Sequence, residues 1–215
     1  MKTWLIVFLL GAYHGLNPAM GWLFAVALGL QEHAGRAVYR SLLPLGLGHL
    51  LSVTAVVALA EAAEFTLPLA TVRIIAASIL VGFGVYRLVR RRHPRWVGMR
   101  VGSSDLALWS FLMASAHGAG LMLLPFILPR PQASMAMNHM HHLMVADMMS
   151  ASPHVPLQVS IPVAMHTIGY LLVTAALALI VYYKLGVAFL RRAWFNLDLL
   201  WSGALIAMGL LMLVV

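Results

Sequence analysis

Apolar residues run along this chain in six long blocks, separated by short stretches that collect the polar and charged residues. The blocks lie at about Trp4–Leu30, Leu42–Ala60, Ala70–Val89, Leu106–Leu128, Val159–Tyr183 and Phe195–Val215. Each is long enough to cross ~30 Å of hydrocarbon as a helix. The pattern therefore predicts an all-α integral membrane protein of six transmembrane helices. Asn17-Pro18 interrupts the first block. Proline lacks a backbone donor and disfavours helix in the residue before it, so a kink or break is expected near Asn17. The apolar start, Met1–Leu30, has no small-residue cleavage site and reads as a retained helix rather than a signal peptide.

The connections alternate in charge. The first carries Arg36 and Arg40, the second Glu61 and Glu64. The third, Arg87–Arg100, adds Arg90, Arg91, Arg92 and Arg95 to its two ends, and the fifth carries Lys184, Arg191 and Arg192. Basic loops stay in the cytoplasm. Both termini and the fourth loop, 130–157, are then extracytoplasmic, as in a bacterial inner membrane. Lys2 and Arg73 run against this orientation as isolated charges. The six tryptophans fall mostly near block ends, as interfacial anchors do.

Composition agrees with lipid as the solvent. Of 215 residues 62% are hydrophobic and 9% charged, with mean hydropathy +0.92, against about 25% charged in a soluble domain. The length fits one membrane domain, 1–215. The net charge of +8 sits in the loops, so orientation explains it better than nucleic acid does. With no cysteine, disulfides, thiolate ligands and iron–sulfur centres are excluded.

The two halves, about 1–92 and 105–215, echo each other. Phe8-Leu9 and His14-Gly15 match Phe111-Leu112 and His117-Gly118 at equal spacing, and Gly48-His49-Leu50-Leu51 matches Gly169-Tyr170-Leu171-Leu172. His166 lies one helical turn before Tyr170, on the same face. Three spans per half imply inversion. A 3+3 inverted repeat is a transporter plan, with its site at the midplane where the repeats meet.

Four histidines fall inside the blocks. His14 and His117 are expected near mid-membrane, His49 nearer the cytoplasmic end and His166 nearer the outer end. One such histidine reads as a packing residue. Four, two of them repeat-related, point to function. Neutral imidazole binds transition metals. Asn17 adds a neutral oxygen at the expected break. Since no aspartate or glutamate lies deep in a block, Mg²⁺ and Ca²⁺ are disfavoured. Copper, zinc, nickel, cobalt or iron suits such a set better.

The fourth loop concentrates the same chemistry. Six of the 14 methionines and four of the ten histidines lie between Met135 and His154. His139, His141 and His142 are the foremost candidate ligands, with Met137, Met140, Met144, Asp147 and His154 as secondary ones. Thioether with imidazole favours copper, Cu(I) above all. The competing reading is an amphipathic segment lying on the membrane surface.

At His14-Gly15-Leu16-Asn17-Pro18-Ala19-Met20-Gly21, Gly46-Leu47-Gly48-His49 and His117-Gly118 the chain resembles the LysE-type exporter superfamily, including the NicO-like nickel/cobalt transporters. That resemblance implies a small bundle of 3+3 inverted repeats. The His-x4-Asp-His signature of the NicO-like members is missing, and His14 and Asn17 stand in its place. Taken together, these features lead to the expectation of a small transporter or exporter of a transition-metal ion. A membrane metalloenzyme, an organic-solute exporter and a metal chaperone are the alternatives. The expected partners are the lipid bilayer and a metal ion, with a second copy or another membrane protein as a further option.

Overall fold

The structure, a computed structural model, describes residues 2–89, 102–128, 157–185 and 197–214. All the regular structure among them is helical. Helix α1 is Lys2–Leu16, α2 Trp22–Gln31, α3 Gly35–Glu64, α4 Leu69–Val89, α5 Ser103–Ala116, α6 Leu124–Ile127, α7 Leu157–Ile180 and α8 Leu197–Val214. Short 3-10 turns at Pro18–Met20 and Leu121–Leu123 precede α2 and α6. A π-helical turn, Val181–Leu185, extends α7.

Three of these helices are long and apolar enough to cross a membrane: α3, α4 and α7 with its extension. The fourth block forms two helical pieces bent by 49°, which make a fourth span if taken together. The first block divides into two shorter apolar helices, and the last block forms another. Lipid is the solvent that fits the outside of the bundle. Leu43, Leu51 and Leu59 of α3 are 69%, 60% and 72% exposed, a row too apolar to face water.

The break in the first block falls where Asn17-Pro18 predicts it. Asn17 is extended, its Oδ1 accepts a hydrogen bond from the Ala19 amide at 3.0 Å, and Pro18 opens the 3-10 turn. Gly21 then adopts φ 132°, a conformation that side chains disfavour. Breaking a helix in an apolar medium frees carbonyls, and each needs a donor. Distant side chains provide them. Trp22 Nε1 donates to the Leu16 carbonyl at 3.2 Å, Trp109 Nε1 to Ala19 at 3.0 Å and the Tyr170 hydroxyl to Met20 at 2.7 Å. Trp22 and Trp109 thus act as donors inside the bundle.

Glycines set how closely the helices pair. Gly11 of α1 lies against the backbone of His166 in α7, and Gly169 of α7 against the backbone of Phe8 and Ala12 in α1. Gly48 of α3 meets the backbone of Ala107 and Phe111 in α5. In the third pair Gly209 of α8 lies against α4, and Gly84 of α4 against Ser202 of α8. Small residues let membrane helices touch backbone to backbone. The pairs α1–α7, α3–α5 and α4–α8 are the main contacts of the bundle. The α3–α5 seam also carries hydrogen bonds, Ser110 Oγ donating to the Leu45 carbonyl at 2.7 Å and Ser52 pairing with Ser115 at 2.8 Å.

Two expectations change. Arg73 is not isolated, because Glu64 lies within electrostatic reach of its buried guanidinium. Helix α3 begins at Gly35 instead of near Leu42, so His49 sits at the middle of its 30 residues and not toward one end. Arg36, Tyr39 and Arg40 do not stop a helix; they only leave the apolar layer.

Candidate functional site: a buried histidine cluster

Three helices bring one histidine each to a common point. His14 comes from the last turn of α1, just before the break, His49 from the middle of α3 and His166 from α7. All three are 0% exposed. Ring centroids are 4.9 Å apart for His14–His166, 5.3 Å for His49–His166 and 5.8 Å for His14–His49.

The hydrogen bonds specify what these rings offer. His14 Nδ1 donates to the Leu10 carbonyl at 2.9 Å, which fixes the tautomer and leaves Nε2 as a bare lone pair with no partner. Neither nitrogen of His49 has a partner. His166 lies beside the Val7 carbonyl, yet neither of its nitrogens completes a hydrogen bond. Three neutral imidazoles therefore carry three lone pairs and two N–H groups without partners in the bundle interior. An unsatisfied buried polar group costs about 1–3 kcal/mol. Five together are an unusual concentration of unsatisfied polar atoms for one buried region.

Aromatic rings wall the cluster. Tyr170 stacks on His49 with centroids 3.9 Å apart and planes at 11°. Trp201 of α8 stands edge-on to His14 at 4.5 Å and stacks on Tyr13 at 4.9 Å. No pattern in the chain singles out Trp201. Tyr170 was visible only as the counterpart of His49. Tyr170→Phe should cost about 1–2 kcal/mol by leaving the Met20 carbonyl unsatisfied. The check is thermal unfolding in detergent, together with faster amide exchange around the break.

His117 is close but engaged elsewhere. It caps the C-terminus of α5, with Gly118 following at φ 68°. Its Nδ1 donates to the Met113 carbonyl at 2.8 Å, and its Nε2 accepts from Arg87 Nη2 at 3.2 Å. Trp201 lies against both rings, 5.1 Å from His117, and donates to the His117 carbonyl at 3.2 Å. Of the four intramembrane histidines proposed as a path, His14, His49 and His166 stand together and His117 lies beside them against Trp201. Asn17 is buried, with its side-chain oxygen on the Ala19 amide. His139, His141, His142, His154, Met137, Met140, Met144 and Asp147 lie outside the described residues.

No described carboxylate enters the cluster. Glu32 ends α2 beside Arg40 at 3.8 Å, Glu61 and Glu64 sit in the last turn of α3, and Asp105 accepts from the Gly102 amide at 2.9 Å. Among the described residues no three histidine or acidic side chains stand in a metal-holding arrangement. The nearly parallel rings of His49 and His166, with planes at 14°, are part of the reason, because ligand lone pairs lie in the ring plane. The centroid spacing itself is suitable. Imidazoles bound at about 2.0 Å place neighbouring ring centroids about 5 Å apart. Neither ring nitrogen of His49 holds a hydrogen bond that would oppose its rotation.

Comparison with family models, with characterised proteins and with solved structures finds no match for this chain.

Proposed function

We propose that this chain is a small six-span transporter or exporter of a transition-metal ion of the copper, nickel, cobalt or zinc class, with His14, His49 and His166 as its intramembrane ligands. The observation that carries this reading is the set of five partnerless imidazole nitrogens buried where three helices meet. The Met- and His-rich outer loop, with His139, His141 and His142, is the proposed capture site.

A 3+3 inverted repeat fits the way the helices pair. Under such symmetry a contact between the first helix of one half and the second of the other must occur twice, and α1–α7 with α5–α3 meets that requirement. The third helices, α4 and α8, pair with each other. His14 and His117 each donate Nδ1–H to the carbonyl four residues back, just before a break in their block. This is the plan of the LysE-type exporters that the sequence resembles.

One observation favours a second reading. Arg87 brings a guanidinium to His117, next to the cluster, and a fixed cation suits an organic anion better than a metal. Elemental analysis of metal-loaded, full-length protein separates the two. With His139, His141 and His142 replaced by alanine, the chain should retain metal at near-unit stoichiometry, and adding His14→Ala, His49→Ala and His166→Ala should abolish that retention, with metal flux in proteoliposomes falling in parallel. If wild type holds no metal under any loading condition, the metal reading fails and the anion reading replaces it.

A further inference from the structure

We infer that the ion taken by the His14–His49–His166 cluster is monovalent, Cu(I) with Ag(I) as its redox-inert equivalent, and not a divalent ion. This rests on the metal reading above and narrows it.

Charge carries most of the case. His14 is a neutral Nδ1–H tautomer by its bond to Leu10, and no described carboxylate approaches the three rings. The charge of an occupied site is then the charge of the ion. The cost of burying an ion rises with the square of its charge, so a dication costs roughly four times as much as a monocation. Divalent ions inside proteins are ordinarily offset by carboxylate or thiolate ligands. This chain has no cysteine, and its described acidic side chains stand at helix ends.

Coordination points the same way. Divalent zinc on three histidines keeps a fourth ligand, ordinarily water. Here the aromatic rings of Tyr170 and Trp201 pack against His49 and His14, and no described carboxylate stands by as a fourth ligand. Cu(I) is satisfied by two or three soft or imidazole ligands. The observed centroid spacings of 4.9, 5.3 and 5.8 Å are compatible with three imidazoles on one ion.

The sequence adds an independent observation. The 130–157 loop gathers six methionines, and thioether is a ligand for Cu(I) rather than for nickel, cobalt or zinc.

The test uses the full-length chain in detergent with His139, His141 and His142 replaced by alanine, so that loop histidines do not contribute. Cu(I) is titrated without oxygen against a chromophoric chelator, Ag(I) is used as competitor, and Zn²⁺, Ni²⁺ and Co²⁺ are measured by equilibrium dialysis. Cu(I) should bind at least about 100-fold more tightly than any of the three divalent ions. X-ray absorption should find nitrogen-only coordination, and His166→Leu, which keeps the packing volume, should weaken Cu(I) binding by at least about 100-fold. A divalent ion that binds as tightly as Cu(I) overturns the monovalent assignment and leaves the metal reading intact. The remaining carboxylate of the bundle, Asp198, lies one turn before Trp201 in α8, and loss of Cu(I) binding in Asp198→Asn would likewise overturn it. No binding of any of these ions overturns the metal reading itself.

Discussion

Alanine at Gly11 should cost the folded bundle at least ~3 kcal/mol, more than most core substitutions in a protein of this size. The added Cβ would fall inside van der Waals contact of the His166 carbonyl, with the His166 Cα also close. Neither is a flexible side-chain end. Both belong to helix backbone, so relief requires α1 and α7 to move apart along their whole length. Gly15, one turn on, is held similarly by the Tyr170 carbonyl, 2.6 Å from where a Cβ would stand. Separating the helices also pulls His14 from His166, so Gly11→Ala should lose metal retention along with stability. Gly82→Ala and Gly203→Ala supply the contrast. No atom lies within 4 Å of a Cβ at either position, and alanine there should stabilise the helix by up to ~1 kcal/mol. Thermal unfolding of the three variants in one detergent is the measurement. A Gly11→Ala protein as stable as wild type would mean that α1 and α7 do not pack as described.

How much of this was legible in the sequence depends on the kind of signal. Backbone chemistry was readable. Asn17-Pro18 predicted a break, and the break is there with its cap. Apolar block length was readable only approximately. It placed the start of the second block at Leu42, because hydropathy marks where the apolar layer begins and not where the helix does. That shift of about two turns is why His49 stands at the middle of helix α3 and not near its start. Which histidines meet was not readable. In a helix that is apolar all round, no amphipathic stripe marks the inner face, so rotation about the axis stays undetermined by pattern. His14 and His117 share a sequence motif and a local hydrogen bond, yet Trp201 stands between them, and Arg87 takes the nitrogen that His117 would have offered. Gly11-Ala12-Tyr13-His14-Gly15 was the unused clue. Its two small residues one turn apart mark the face of α1 that another helix approaches closely, and His14 lies beside that face. The loop ligands remain a reading of composition alone.

Replacing His166 with leucine should make the metal-free protein more stable, by about 1–2 kcal/mol, while removing its response to metal. A histidine kept for packing behaves in the opposite way. Its nitrogens hold hydrogen bonds, and an apolar substitute leaves the partners unsatisfied. His166 completes no such bond, so leucine deletes two unpaired polar atoms and fills nearly the same space. Buried polar or ionic groups replaced by well-packed apolar side chains are often neutral or stabilising on the same grounds. Wild type should gain stability with added ion as RT ln(1 + [L]/Kd), and the variant should not. His117→Leu is the counter-experiment in the same bundle. That substitution takes away the acceptor for Arg87 Nη2, at 3.2 Å, and should destabilise by about 1–3 kcal/mol. Opposite signs at two fully buried histidines, read by one unfolding assay without metal, would distinguish a binding group from a packing group. If His166→Leu instead destabilises the metal-free protein as much as His117→Leu does, the cluster is a packing feature and its nitrogens have partners within the folded chain.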